Sequence, residues 1–169
     1  GAAGMEESIK CGVVGATAHP QVDYSQVIYS PFASAAEPAQ SINYAEAHDN
    51  LTLWDKLCKT NPNDNLKTVM ARQKMAGAII LTSQGIPFLH AGMEFCRTKH
   101  GDHNSYKSPD SINKIDWTRK IKYLEVFRYY QGLIALRKAH PGFRMQTTEE
   151  IARSLEFIQM PESHMVGFM

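Results

Sequence analysis

Hydrophobic positions along the chain follow two periods, and each predicts a different element. From Asn65 to Ser83, Leu66, Val69, Met70, Gln73, Ala76, Gly77 and Ile80 recur at i, i+3, i+4 spacing. That stripe predicts the strongest helix of the chain. Gly85 offers it a C-cap, and Pro87 prevents continuation. A shorter amphipathic helix is predicted over Leu51–Lys59, halted near Asn61-Pro62. Another is predicted over Met5–Gly12, with Glu6 and Glu7 in the first turn, where their charge complements the helix dipole. Ile121–Lys138 predicts a second long helix with Tyr123, Phe127, Tyr130 and Ile134 on one face, closed by Pro141-Gly142. Ile42–Ala47 and Ile86–Ala91 read as short apolar strands. Leu155–Ile158 and Met165–Met169 read as two more. The stretch from Gly15 to Gln40 is rich in Ala, Ser, Pro and Gln without a period and predicts a long loop; Gly92–Lys120 predicts a second, polar one.

Two strands separated by a helical crossover make a βαβ unit, which is parallel and right-handed in nearly all cases. The polar segments after these strands then share one face, at the strands' carboxyl ends. That face is where α/β barrels and open α/β sheets keep their chemistry. His48-Asp49-Asn50 ends the first strand abruptly, and polar side chains there have no packing reason of their own.

Composition narrows the classes. A formal net charge of +1 and no Lys/Arg run beyond two residues leave no basic footprint for nucleic acid or an anionic membrane surface. No apolar stretch approaches the roughly 20 residues of a membrane span. Hydrophobic residues make up 43%, enough for a core. Cys11, Cys58 and Cys96 are odd in number, form no CxxC or Cys/His zinc pattern, and read as incidental buried thiols. The chain opens Gly1-Ala2-Ala3-Gly4-Met5, with no initiator Met and no signal segment, and it stops inside the last strand. Both ends predict a segment excised from a longer protein. Localisation stays open.

The candidate chemistry lies in two places. His48 and Asp49 read equally as a strand-end His with an N-cap Asp, or as a site. The segment Glu94–Asp110 gathers carboxylates, amides, His, Arg and Tyr, a set able to hydrogen-bond many hydroxyls and stack on one face of a sugar. An ordinary solvated loop is the other reading of it. Trp54, on a helix face, reads as core and not as a stacking platform, and His90, inside an apolar strand, as a satisfied buried histidine.

Tyr44–Leu57 (YAEAHDNLTLWDKL), Gln84–Glu94 (QGIPFLHAGME) and Arg97–Trp117 (RTKHGDHNSYKSPDSINKIDW) together resemble type I pullulanases, debranching members of the α-amylase family of glycoside hydrolases. The resemblance runs in order from about Gly4 to Met169. It implies an α/β fold: the C-terminal portion of a (β/α)8 barrel, about strands 7 and 8 with flanking helices, over residues 1–145. The first strands of a β-sandwich would follow over 146–169. It implies a retaining glycosidase, which uses a carboxylate nucleophile and a carboxylic acid/base. Asp49 matches the family's third carboxylate, which favours the transition state. His48 and Asn50 match substrate-binding positions beside it. Arg97, Asn104, Tyr106 and Asp110 fall where the family's strand-8 loop lines the cleft, and His103 and Asn113 fall nearby. Nucleophile and general acid belong to strands 4 and 5, which have no counterpart here, so the isolated chain is expected to be inactive.

No cofactor or metal is implied. The partner implied is an α-glucan, in pullulan, starch or glycogen branches. Open strand edges near Ile42–Tyr44, Pro87–Leu89, Leu155–Phe157 and Val166–Met169 predict self-association of the isolated segment. The alternative function is a non-catalytic carbohydrate-binding or assembly module using the same loop. A metal-dependent hydrolase built on His48, Asp49, His90, Asp102 and His103 is a further alternative, although these spacings match no compact metal pattern.

Overall fold

The fold is given by a computed structural model, which describes residues 4–169. In chain order the helices are α1 (Glu6–Val13), α2 (Leu53–Thr60), α3 (Leu66–Thr82), α4 (Asp110–Asn113), α5 (Thr118–Lys122), α6 (Leu124–Ala139) and α7 (Thr148–Ser154). The strands are β1 (Ile42–Asn43), β2 (Ile86–Pro87), β3 (Phe157–Ile158) and β4 (Gly167–Phe168). Contacts divide the chain into two units. One comprises the chain to Asn43, Thr82–Pro87 and His140–Met169, and the other Tyr44–Leu81 and Phe88–Ala139.

The second unit is built on α3. This helix starts where Asn65 Oδ1 accepts the Thr68 N–H at 3.0 Å and buries Val69, Gln73, Gly77, Ile80 and Leu81, close to the predicted stripe. Leu66, in its first turn, is 54% exposed and departs from that stripe. Trp54, Met93, Cys96, Tyr123, Val126 and Tyr130 complete the core. Trp54 is therefore core, with its ring 4.9 Å from that of Tyr123. The helix expected over Ile121–Lys138 is two helices, broken at Tyr123 (φ −114°, ψ 37°). The buried stripe nonetheless runs on across the break. Tyr123 turns in against Trp54, and α6 then buries Val126, Tyr130 and Arg137. Phe127 and Ile134, expected on the core face, instead line a cavity of about 300 Å³ with Leu89, Glu94 and Tyr130.

The first unit holds both strand pairs. β1 and β2 pair in parallel, Ile42 opposite Ile86 and Asn43 opposite Pro87, as the crossover predicts. Each is two residues long, whereas the apolar runs predicted six. A strand needs ladder partners as well as apolar side chains, and Pro87 has no N–H to donate. Gln84 organises the surrounding backbone. Its side chain donates to the Gly142 carbonyl (2.7 Å) and accepts the Met145 N–H (2.9 Å), and its own carbonyl accepts from Asn43 Nδ2 (2.7 Å). Gly85 takes the left-handed conformation (φ 86°) that its C-cap position requires.

β3 and β4 pair antiparallel, Phe157 opposite Phe168, over a core of Val13, Val14, Val22, Ile151 and Leu155. Helix α7 lies in the segment read only as the start of a sheet. Its signal was present: Thr147-Thr148-Glu149-Glu150 is a capping-box pattern. The Thr147 hydroxyl accepts the Glu150 N–H at 3.1 Å, and the Glu150 carboxylate reaches back to the Gln146 N–H at 2.9 Å.

Cys11 and Cys96 are buried, but Cys58 is exposed on α2, which corrects the expectation of three buried thiols. Burial pushes the Cys96 thiol up to about 12. Among the described residues no helix is long and apolar enough to cross a membrane.

Candidate active-site loops

The candidate site occupies the loops of the second unit, and buried charges hold it from beneath. Glu46 points inward. Its carboxylate accepts the Leu53 N–H at the start of α2 and lies 3.2 Å from His90 Nδ1. Thr52 caps α2, its hydroxyl accepting the Asp55 N–H at 3.2 Å. Asp55, buried in the first turn, accepts the Lys99 N–H at 2.8 Å and the Thr98 hydroxyl. Residues 47–51 therefore span two anchored points. At the apex the His48 and Asp49 side chains are 84% and 73% exposed, with Nε2 3.5 Å from Oδ2. Asn50 adopts φ 63°, a left-handed conformation that asparagine tolerates better than most residues. Since Thr52 is the cap, Asp49 is left with no capping role.

The 90–113 segment is anchored in the same way. Arg97 is buried, donating through Nη1 to His90 Nε2 (3.2 Å) and the Ala91 carbonyl (3.1 Å), and through Nη2 to the Asn113 carbonyl (2.6 Å). Arginine only donates, so His90 accepts at Nε2 and carries its proton on Nδ1, toward Glu46. His90 is thus a satisfied buried histidine. Gly92 (φ 96°) makes room for this arrangement, because a Cβ there would lie 2.9 Å from that of Arg97.

Lys99 is 4% exposed, and its ammonium donates to the His48 carbonyl (2.9 Å) and the Ser105 hydroxyl (2.7 Å). Desolvation, then the nearby Arg97 charge, lowers its pKa. Asn113 Nδ2 holds the carbonyls of Ser105 (2.7 Å) and Ser108 (2.9 Å). Asp102 accepts the Ser108 hydroxyl and the Asn104 N–H, and these bonds hold its carboxyl below the usual range.

Of the residues singled out in the sequence, His48, Asp49, Asn50, Asn104, Tyr106 and Asp110 are exposed. Tyr106 is 72% exposed, with the Lys107 ammonium 5.2 Å from its ring centroid. His103 is exposed too, Asn113 is half-buried, and Arg97 is buried. It lies under the loop with both terminal nitrogens committed to protein acceptors. Glu46, Asp55, Lys99 and Ser105 were not singled out. Only Glu46 carried a signal, as a lone charge between Ala45 and Ala47 in an apolar run. Among the described residues no three His, Cys, Asp or Glu side chains gather as a metal would need, so the metal-hydrolase reading finds no geometric support.

No family model matches the chain. Over 132 residues it is 49% identical to the pullulanase of Bacillus subtilis (strain 168), covering 78% of this chain and 18% of that protein. Its backbone matches a pullulanase from Paenibacillus barengoltzii, a mutant solved with maltotetraose, at TM-score 0.90 and 45% identity, over 99% of this chain and 25% of that one. A pullulanase type I from Bacillus subtilis, solved with maltose, matches at TM-score 0.87 and 40% identity, over 96% of this chain and 22% of that one. The chain thus spans about a fifth to a quarter of the proteins it matches. By sequence and by backbone, it belongs to the type I pullulanase family.

Proposed function

We propose that this chain supplies part of the substrate cleft of a retaining α-1,6-glucan debranching glycosidase. In this reading β1 and the residues after it form barrel strand 7, β2 and the residues after it form strand 8, and the barrel portion runs to about residue 145. The segment 146–169 opens a β-sandwich. The parallel pairing of β1 with β2 across a helical crossover supports the barrel assignment. The observation that carries the function is the exposed His48–Asp49 pair on a turn anchored by buried Glu46, Asp55 and Lys99.

An exposed carboxylate on a fixed turn accepts hydrogen bonds from sugar hydroxyls. Those bonds strengthen as positive charge develops on an oxocarbenium-like transition state, so Asp49 stabilises that state more than the bound substrate. His48, Asn50, Asn104 and Asp110 offer further hydroxyl partners, and Tyr106 offers an aromatic face. Arg97 serves the same cleft from below, holding Ala91 and Asn113. The partner is an α-glucan, in line with the maltotetraose and maltose in the relatives' structures.

Nucleophile and general acid are supplied from outside this chain. The isolated chain is therefore expected to release no reducing sugar from pullulan, since loss of one essential group costs several powers of ten in rate. It is also expected to self-associate, because Tyr44 and Phe88, edge to face at 6.1 Å, expose apolar surface. A reducing-sugar assay and light scattering across a dilution series on one preparation test both expectations. Sugar release that survives repurification and disappears in Asp49→Ala overturns the division of catalytic groups. A strict monomer at every concentration overturns the open-edge account.

A further inference from the structure

We propose that Lys99 is a positioning residue that sets the distance between the two halves of this cleft, tying the His48–Asp49 turn to the loop carrying Asn104 and Tyr106. The proposal rests on the cleft reading above.

The geometry is specific. The Lys99 ammonium donates at once to the His48 backbone carbonyl, one residue before Asp49, and to the hydroxyl of Ser105, which lies between Asn104 and Tyr106. The base of this bridge and one of its ends are themselves fixed. The Lys99 N–H is held by Asp55, at the foot of the 47–51 turn, and the Ser105 carbonyl is held by Asn113. Burying an ammonium is costly, and a hydrophobic side chain of similar length would fill the same space at lower cost. Stability is thus a poor reason for a lysine at this position. What only an ammonium supplies is several charge-assisted hydrogen bonds from one point, which join two loops that no backbone bond in the structure connects. Lys99 itself is buried beneath the turn and acts through His48 and Ser105.

The test uses the full-length protein containing this chain, with Lys99→Met and Ser105→Ala. The first removes the bridge at near-constant volume. The second breaks one of its two bonds and serves if the first does not fold. Amide hydrogen exchange is read over 48–51 and 104–107, and kcat and KM are measured on pullulan.

Lys99→Met is expected to speed exchange in both segments by about tenfold, with α3 and α6 unchanged. Its kcat is expected to fall about tenfold or more, with a smaller change in KM. Ser105→Ala is expected to speed exchange over 104–107 and to lower kcat by a smaller factor. Unchanged exchange over 48–51 in Lys99→Met, or over 104–107 in Ser105→Ala, overturns the bridge. Faster exchange with normal kcat overturns its positioning role, provided Asp49→Asn is impaired. If Asp49→Asn retains normal kcat, the cleft reading has failed, and exchange alone still decides whether the bridge exists.

Discussion

In the full-length protein, Asp49→Asn is expected to lower kcat by about a hundredfold or more while leaving the unfolding midpoint nearly unchanged. The magnitude follows from roughly 3 kcal/mol for a pre-organised electrostatic contact made mainly in the transition state. The stability half follows from the structure. The Asp49 side chain is mostly exposed, it pairs with His48 at 3.5 Å, and the α2 cap is Thr52. A surface amide in place of a surface carboxylate removes no core contact, no cap and no buried hydrogen bond, so the change in stability falls within about 0.5 kcal/mol. Steady-state kinetics on pullulan and thermal unfolding of the same preparation give both values. A near-normal kcat would leave Asp49 as an ordinary loop residue. A midpoint lowered by several degrees would show that the turn depends on its charge.

Gly77→Ala is expected to destabilise the fold by about 2 kcal/mol, against the usual gain of about 1 kcal/mol for glycine to alanine inside a helix. Gly77 lies in α3, where a Cβ would sit 2.4 Å from Tyr130 Cζ and 2.6 Å from its hydroxyl oxygen. The ring cannot withdraw. It is among the most deeply buried side chains of the core, and its hydroxyl donates to the Gln73 carbonyl, one turn earlier on α3, at 3.0 Å. Burial also pushes the phenol above the usual tyrosine range, so it remains a donor. Tyr130→Phe should not relieve the clash, because the ring carbons stay. Tyr130→Leu should, so the double variant is expected to cost less than the sum of the singles by about 1 kcal/mol or more. Chemical denaturation of the four proteins closes the cycle. A Gly77→Ala protein more stable than the parent would refute the close approach of the Tyr130 ring to Gly77.

Local order along this chain was legible because it rests on near neighbours. The α3 stripe, the Gly85 cap and the parallel sense of β1 and β2 depend on spacing, φ preference and crossover handedness, all written into consecutive residues. The exposure of His48 and Asp49 was legible for the same reason: a polar triplet closing an apolar run has nowhere else to go. What the sequence left undecided depends on residues far apart in the chain. Spacing puts Phe127 and Ile134 on the core face, but which apolar positions of α6 meet the core is decided by packing against distant residues such as Trp54 and Met93, and Val126 and Tyr130 take those places. The strand lengths depended on ladder partners that apolar content does not reveal. Arg97 was expected to line the cleft, and Lys99 was not singled out, because a charge in a polar stretch carries no local mark of burial. Only tertiary structure brings Ala91, Asn113 and His90 to the Arg97 terminal nitrogens, and His48 and Ser105 to the Lys99 ammonium, and so gives acceptors to charges that would otherwise stay in water.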